Sequence, residues 1–392
     1  MREDLGRLVS VEGQPSGSIS INQVVSFRVT VVDKKGNRVS SSPKGKRIIP
    51  FVVEISLNEK QQHQVKIEEN QGKEGEFSVS FTPTIAGQYQ ISVSHKGGHF
   101  KGSPFRIDVV DRPLYRRDYN AVGTNPVLQF GSKGSGDGQF MQPHVACNSR
   151  GDIIVSDGSN HRVQVFDKAG KFLFNFGSKG NGDGQLSSPL GVAVDQRNNQ
   201  LVVADYSNHF IQVFDEKGGF IRAFGSSGSG DGQLSSPYDV VVDSQGNYFV
   251  ADFGNHRVSV FNSNGQFLRK FGSNGKGNGQ LSSPEGIGLM SNGNVVVGEC
   301  NNSRVSIFDS QGNFVRHIGV GQLTNPFHLF VDSDDNILVA DYGGGRIQVF
   351  KADGSLVKTI GSGQLSCPAG VCMDSEGRII TPDHGNGRIL VI

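Results

Sequence analysis

Residues 224–261 read FGSSGSGDGQLSSPYDVVVDSQGNYFVADFGNHRVSVF, and relatives of this stretch recur through the second two-thirds of the chain. Each copy opens with an apolar residue followed by Gly, and successive copies lie 46, 48, 47, 47 and 42 residues apart. The residues that open the six copies are Phe130, Phe176, Phe224, Phe271, Ile318 and Ile360. Each unit has four short apolar runs, and one such unit cannot bury both its faces alone. The repeat therefore predicts six four-stranded blades in a closed β-propeller.

The two ends of the repeat array predict how the ring closes. Every unit but the last ends in an outer strand of the type F-x-x-x-F-G, whereas the sixth stops at Arg388–Ile392. Val127–Phe130 has the pattern of an outer strand and no blade of its own. We expect it to pair with Arg388–Ile392, because a closed ring satisfies backbone groups that an open edge would expose.

Composition narrows the class of protein. The 392 residues carry a formal net charge of +1, so no global attraction to nucleic acid or membrane is expected. No apolar stretch is long enough to span a bilayer, and no charged-then-apolar leader is visible. The four cysteines show no C-x-x-C spacing and are expected to be reduced thiols in a cytoplasmic protein. They are Cys147, Cys300, Cys367 and Cys372.

The N-terminal part has a different organisation. Residues 5–112 contain about seven alternating β runs separated by turn signals, which predicts an immunoglobulin-like β-sandwich. The segments PTIAGQYQISV at 83–93 and GSPFRI at 102–107 closely resemble the signature of the filamin repeat. That resemblance implies either a spacer or a domain that binds a peptide by strand addition. Residues 113–126 are assigned to a solvated linker and residues 127–392 to the propeller.

The repeat unit itself resembles a known family. Units of the form GQLSSPxGVAVD followed by VADxxNHRVxVF look like NHL repeats, whose triplet stands here at 160–162, 208–210 and 255–257. A filamin repeat followed by six NHL repeats resembles the TRIM-NHL proteins, including the branch that represses messenger RNAs. The RING, B-box and coiled coil of that family have no counterpart in this sequence, so we expect no ubiquitin transfer by this chain itself.

One propeller face is expected to carry the binding site. The loop before each repeat Pro and the turn after each acidic residue should share that face, while turns such as 332–336 gather acidic residues on the opposite one. Guanidinium groups bind phosphate and flat rings stack unpaired bases, so cations interleaved with rings predict an RNA-binding face, as the family resemblance also implies. The candidate RNA-binding residues are Arg162, Arg257, Arg304, Arg346, Arg388, His144, Tyr206, Tyr238, Phe253, Phe327, His328, Tyr342 and His384.

Three alternatives remain open at this stage. Each of the five arginines follows an acidic residue by five positions, so the pairs could instead pin the turn and leave little positive field. The same face could select protein substrates for a ubiquitin ligase, with apolar anchors such as Tyr238 and Phe327. A metal site at His144, His328 and His384 is the third alternative, although their offsets within the repeat differ.

If RNA is the ligand, changing Arg162 and Arg257 to Glu should abolish binding with the fold intact.

We expect a non-catalytic recognition module without cofactor or metal. No nucleophile, general base or phosphate loop stands out from the repeated Ser, His and Asp residues. RNA is the expected partner, with protein partners as the alternative; DNA and membrane are not expected, and the chain is expected to be a monomer.

Overall fold

The chain divides into two compact units, Met1–Leu114 and Tyr115–Ile392. The computed structural model describes residues 117–123 and 125–392, and further upstream only the strand segments named below.

The first unit has two sheets, in which most neighbouring strands are antiparallel. Its strands are β1 (Leu8–Glu12), β2 (Ile19–Ser20), β3 (Val25–Val32), β4 (Val52–Leu57), β5 (Lys66–Glu69), β6 (Glu76–Phe81), β7 (Gly87–His95), β8 (Gly98–His99) and β9 (Phe105–Val110). One sheet has the order β1-β3-β6-β5 and the other β2-β9-β7-β4, with β8 paired to β7. Phe77 and Val79 in one sheet and Tyr89, Ile91 and Val93 in the other are buried. One buried face per sheet is what a β-sandwich requires, which confirms the predicted fold.

The second unit contains six four-stranded antiparallel sheets, and in five of them four consecutive strands lie side by side. Residues before the first blade form β10 (Leu128–Phe130), β11 (Ser132–Lys133) and β12 (Gln139–Phe140). Blades one to three contain β13 (Pro143–Cys147), β14 (Ile153–Asp157), β15 (Arg162–Phe166), β16 (Phe172–Phe176); β17 (Pro189–Asp195), β18 (Gln200–Asp205), β19 (Phe210–Phe214), β20 (Phe220–Phe224); and β21 (Pro237–Val242), β22 (Tyr248–Asp252), β23 (Arg257–Phe261), β24 (Phe267–Phe271).

The remaining blades repeat this order from the inner strand to the outer one. They contain β25 (Pro284–Leu289), β26 (Val295–Glu299), β27 (Arg304–Phe308), β28 (Phe314–Ile318); β29 (Pro326–Val331), β30 (Ile337–Asp341), β31 (Arg346–Phe350), β32 (Leu356–Ile360); and β33 (Cys372–Met373), β34 (Ile379–Asp383), β35 (Arg388–Val391). The fourth strand of blade six is β10, from the other end of the array. The six-bladed propeller predicted from the repeat is thereby confirmed.

The hydrophobic core lies between neighbouring blades. Each cluster of buried side chains draws on two adjacent sheets, as where Val163 and Val165 of blade one meet Val192 and Val203 of blade two. The third strand of each of the first five blades ends in a buried Phe, namely Phe166, Phe214, Phe261, Phe308 and Phe350. Because no blade has a complete core of its own, the blades stabilise one another and the ring must close.

The ring closes as the sequence predicts. Strand β10 pairs with β35 in antiparallel register, with Leu128 opposite Val391 and Phe130 opposite Ile389. The Val127 amide also donates to the Val391 carbonyl at 2.8 Å. The outer strand of the last blade therefore comes from upstream of the first, and both ends of the array are held in one sheet.

Part of the segment assigned to the linker packs on the propeller instead. The Arg117 guanidinium donates to the carbonyl oxygens of Gly377, at 2.6 Å, and of Ile392, at 2.8 Å. The Tyr119 hydroxyl donates to the Asp332 carboxylate at 2.6 Å, and Tyr119 and Val122 are buried. Residues 117–122 thus belong to the propeller body, which a search for repeats could not reveal because they repeat nothing. Among the described residues, no helix has the length and apolar character needed to cross a membrane.

Changing Phe130 to Ala should weaken the closing strand, because its ring lies 5.0 Å from that of Phe166 and packs against the core between the last and first blades. Since Phe130 is only partly buried, we expect a loss of about 2–3 kcal/mol in the free energy of unfolding, less than the roughly 3–5 kcal/mol of a buried Phe→Ala change. Val127→Ala is the matched control, because Val127 is 71% exposed in the same segment. Equal losses for the two variants in denaturant titrations would contradict this role for Phe130.

Candidate functional site

The face built from the loops before each repeat Pro and from the turns between the second and third strands has a common construction. In each turn an acidic residue ends the second strand, and in four of the six blades a short 3₁₀ helix follows and a residue in the left-handed region precedes the third strand. His161 has φ 60° and His256 φ 54°, a conformation that His tolerates better than branched residues do. The turn therefore delivers the next side chain, usually Arg, back toward the acid.

The six acidic residues that end the second strands are fully buried, and they tie the turn to the preceding loop. Asp205 accepts hydrogen bonds from the backbone amides of Ser187 and Ser188 at 3.0 Å, and Asp252 accepts one from Ser235 at 2.8 Å. The six acids are Asp157, Asp205, Asp252, Glu299, Asp341 and Asp383. A buried carboxylate is costly unless hydrogen-bonded, so these bonds fix the loop on each blade.

All five predicted arginines lie on this face, and all five are paired with the acid of their own turn. The Nε atoms lie 2.7–3.2 Å from the carboxylate oxygens. The pairs are Arg162–Asp157, Arg257–Asp252, Arg304–Glu299, Arg346–Asp341 and Arg388–Asp383. In the second blade Phe210 takes the place of Arg, and Asp205 is satisfied by the loop amides and by Asn208.

The outer nitrogens of these guanidinium groups are also engaged. Arg257 donates to the backbone carbonyls of Ser229, Gly230 and Gln233 at 2.8–3.0 Å, and its side chain is only 7% exposed. Arg346 and Arg388 are the most accessible of the five, each with 31% of the side chain exposed. The geometry therefore favours the turn-pinning alternative for these residues and leaves few donors for a ligand.

The Gly-rich loops before the repeat Pro residues also have hydrogen bonds of their own. The Gln233 side chain accepts from the Gly230 amide at 2.9 Å, and single parallel bridges such as Ser227 to Leu234 close each of the longer loops. The Gly228 position has φ 147° and its Cβ would overlap Gln233, so only Gly fits there.

The eight predicted aromatic and His residues come together in one continuous network at the centre of the face. Phe327 stacks on Tyr342 with ring centroids 4.7 Å apart, and the centroids of Tyr342 and His384 are 6.0 Å apart. On the other side Tyr206 and Phe253 lie 5.9 Å apart. We call this network the aromatic basin; its members are His144, Tyr206, Tyr238, Phe253, Phe327, His328, Tyr342 and His384.

The basin has an accessible upper layer and a buried floor. Tyr206, Phe253, Phe327, Tyr342 and His384 are partly exposed, whereas Tyr238, His144 and His328 are buried beneath them. Tyr238 joins the two accessible groups, since its ring lies 5.3 Å from Phe327 and 5.8 Å from Phe253. The sequence could place these rings on one face, but it could not tell which are accessible.

Buried polar groups complete the floor. The Asp239 carboxylate accepts from the amides of Val240 at 2.8 Å and Ile287 at 3.0 Å, and it lies 3.5 Å from His328 Nε2. Burial lowers the pKa of His144 well below its usual value, with His328 and His384 adding to the effect, so His144 is neutral. In the described part of the chain, no group of three or more His, Cys, Asp or Glu residues could hold a metal ion.

Blade four supplies polar groups at two positions where most of the other blades supply rings. Glu285 occupies the position of His144, Tyr238 and Phe327 within the repeat, and Cys300 occupies that of Phe253. Burial raises the pKa of Glu285 to about 8, although a hydrogen bond with Cys300 opposes the shift. Glu285 is therefore mostly protonated at neutral pH and adds no negative charge to the floor.

Sequence reasoning missed the cations that remain available on this face. Lys133, Lys179 and Lys276 are exposed in the Gly-rich loops before blades one, two and four. Lys133 and Lys179 both lie three residues after the Phe that opens their copy, but Lys276 lies five residues after Phe271, so the three do not form one periodic series. Met141 and Val320, in loops of the same face, are 47% and 65% exposed.

Changing Arg257 to Met should destabilise the fold, because it leaves the Asp252 carboxylate buried without its cation. Removing one partner of a buried ion pair lowers the free energy of unfolding by about 3–5 kcal/mol. Arg316→Met is the control, because Arg316 is exposed on an outer strand and makes one long bond to the Asp353 carbonyl. The expectation that Arg257→Glu keeps the fold intact is therefore not supported. A loss of RNA binding in that variant would not distinguish a lost contact from a lost fold. Unchanged denaturant midpoints for Arg257→Met would contradict the structural role.

Comparison with known protein families supports the assignment of both domains. The Filamin/ABP280 repeat model matches residues 5–106. The NHL repeat model matches residues 140–166, 186–214, 234–261, 281–308 and 365–392. The fifth unit forms a blade like the others although that model does not match it.

Relatives with curated names match parts of the chain. Protein lin-41 of Caenorhabditis elegans is 39% identical over 101 residues, and E3 ubiquitin-protein ligase TRIM71 of Rattus norvegicus is 39% identical over 99 residues. Each match covers 25% of this chain and 8% and 11% of the relative. Protein brain tumor of Drosophila melanogaster is 53% identical over 47 residues, which cover 12% of this chain and 4% of that protein. The matched segments are therefore a small part of these relatives.

Solved structures share the fold at low sequence identity. A protein of unknown function from Bacteroides thetaiotaomicron aligns over 99% of both chains with a TM-score of 0.57 and 14% identity. A gluconolactonase from Xanthomonas campestris aligns over 65% of this chain and 88% of its own, with a TM-score of 0.52 and 17% identity. At this identity the likeness concerns the fold alone. With its filamin repeat, its NHL propeller and its lin-41, TRIM71 and brain tumor relatives, the chain belongs to the TRIM-NHL family.

Proposed function

We propose that the propeller binds single-stranded RNA in the aromatic basin, chiefly by stacking unpaired bases on its accessible rings. The NHL propeller of this family is a recognition module, and RNA is the ligand whose chemistry fits the basin best. The resulting complex would serve the repression of messenger RNA in the cytoplasm, with the filamin repeat as a spacer.

The observation that carries this proposal is that five accessible rings lie on one face in two groups, joined through the buried ring of Tyr238. Tyr206 and Phe253 on one side and Phe327, Tyr342 and His384 on the other lie on a single face with neighbouring centroids 4.7–6.0 Å apart. Every base has a flat π-face, so such a platform accepts successive bases, each worth about 1–3 kcal/mol of binding.

Phosphate contacts have a smaller role in this proposal. All five arginines are occupied by their acids, and four of them also donate to loop carbonyls. The exposed Lys133, Lys179 and Lys276 are therefore the cations best placed to meet a phosphate backbone. The Gly-rich loops also carry the exposed Asp137, Asp183 and Asp231, so the three lysines add little net long-range attraction. Binding should therefore depend more on rings than on charge.

A protein partner is the second candidate, favoured by the exposed apolar side chains of Met141 and Val320 beside the basin. The TRIM71 relatives are named E3 ubiquitin-protein ligases, and in a longer parent with a RING domain this face could select their substrate. Such an interface would rest on apolar anchors in the basin and on these two loops.

Phe327→Ala and Tyr342→Ala should each weaken RNA binding about 5- to 100-fold, because each removes one stacking surface. Binding is measured by fluorescence anisotropy with a labelled single-stranded RNA selected from a random pool on the unaltered chain. Leu173→Ala and Leu268→Ala are the controls, since these side chains are 46% and 47% exposed on outer strands away from the basin. Failure to select any RNA, or equal affinity for all four variants with unchanged unfolding curves, would overturn the proposal.

Salt dependence separates lysine contacts from arginine contacts. For single strands, the logarithm of the association constant falls with a slope of about −0.7 per phosphate contact, so three lysines give a slope no steeper than about −2. Replacing Lys133, Lys179 and Lys276 by Gln should flatten the slope toward zero. Replacing Lys171, Lys217 and Lys351, which are exposed in turns on the opposite face, should leave it unchanged. A slope steeper than about −4 would mean that the arginines leave their acids to bind phosphate.

A further inference from the structure

The two thiols at the ring closure face each other across the boundary between the first and last blades. Cys147 ends the inner strand of blade one, and Cys372 begins the inner strand of blade six. Both are buried, and their Sγ atoms are 3.0 Å apart. They belong to one cluster of packed side chains with Val145, Ile380 and Ile389.

We propose that Cys147 and Cys372 form an intramolecular disulfide when the protein meets a peroxide, and that this bond locks the ring covalently. The sulfur atoms need to approach by only about 1 Å to reach the 2.03–2.05 Å of a disulfide bond. The bond would join the same two blades that the pairing of β10 with β35 already holds together.

The chemistry balances with hydrogen peroxide as the oxidant. One thiolate attacks a peroxide oxygen and becomes a sulfenic acid, and hydroxide leaves and takes a proton to give water. The second thiolate attacks the sulfenic sulfur, the S–S bond forms, and a second hydroxide leaves as water. Two thiols lose two electrons and two protons in total, and the peroxide is reduced to two molecules of water.

The closed ring protects the thiols, so the reaction requires local opening. Burial, followed by the hydrogen bond with Cys147, raises the pKa of Cys372 well above its usual value, and a thiol rather than a thiolate is a poor nucleophile. Oxidation should therefore follow the rate at which the boundary between blades one and six opens.

The inner strand of blade six has fewer paired residues than any other inner strand. The inner strand β33 has two residues, whereas the inner strands of the other five blades have five to seven. The adjacent strand contains Pro382, which has no amide hydrogen to donate to a ladder. A covalent bond placed here would stabilise the blade that has the shortest inner strand.

The test uses the full chain with Cys300 and Cys367 changed to Ser, so that the two inner-strand thiols are the only ones left. The protein is incubated with hydrogen peroxide a few degrees below its unfolding temperature and then digested with trypsin without reduction. We expect residues 134–150 joined to residues 359–378 by a disulfide. The unfolding temperature should rise by about 5–10 °C and return to its original value after dithiothreitol, since a crosslink over a long loop restricts the unfolded chain.

Adding Cys147→Ser or Cys372→Ser to this chain gives the controls, which should show no linked peptide and no peroxide-dependent rise. If both thiols remain free to alkylating reagent in the denatured, oxidised sample, the proposal is wrong. A linked peptide with a lowered unfolding temperature would also overturn it, because the bond would then strain the ring rather than lock it.

Discussion

The constraint on which the propeller depends is a buried carboxylate at the same place in every blade. Six acids end the second strands with no solvent exposure, and each must find hydrogen-bond donors inside the protein. Loop amides satisfy part of this need, as with Ser235 and Asp252, and side chains satisfy the rest, with arginine among the donors in five blades. The loops of one face are thereby fixed in place, and the guanidinium groups are used in fixing them.

Because the loops are fixed, the side chains that follow each repeat Pro and each acid converge near the axis. Rings occupy these positions in most blades, while blade four contributes Glu285 and Cys300. Asp239 and His328 are buried beneath the accessible rings, and burial keeps His144 neutral. The outcome is a weakly charged platform of rings whose exposed charges lie in the surrounding loops, which suits base stacking better than phosphate binding.

The sequence was sufficient for the fold because a period of about 47 residues is a long-range signal that leaves few architectures. It even located the closing strand, since Val127–Phe130 matched a unit that lacked its last strand. The sequence also predicted that the rings share one face. It did not predict that Tyr238 is buried and Tyr342 accessible, because burial depends on neighbouring blades. It also left the arginines undecided, since their carbonyl partners lie 23–28 residues earlier in loops without regular structure. Arg117 and Tyr119 escaped notice because they occur outside the repeat.

The most direct test is a crystal structure of the chain with its selected single-stranded RNA. The account predicts bases stacked on Phe327, Tyr342 and at least one of Tyr206 and Phe253, with every arginine still within hydrogen-bond distance of its own acid. A structure in which Arg162, Arg257 or Arg304 has left its acid to hold phosphate, or in which the RNA lies on another surface, would contradict it.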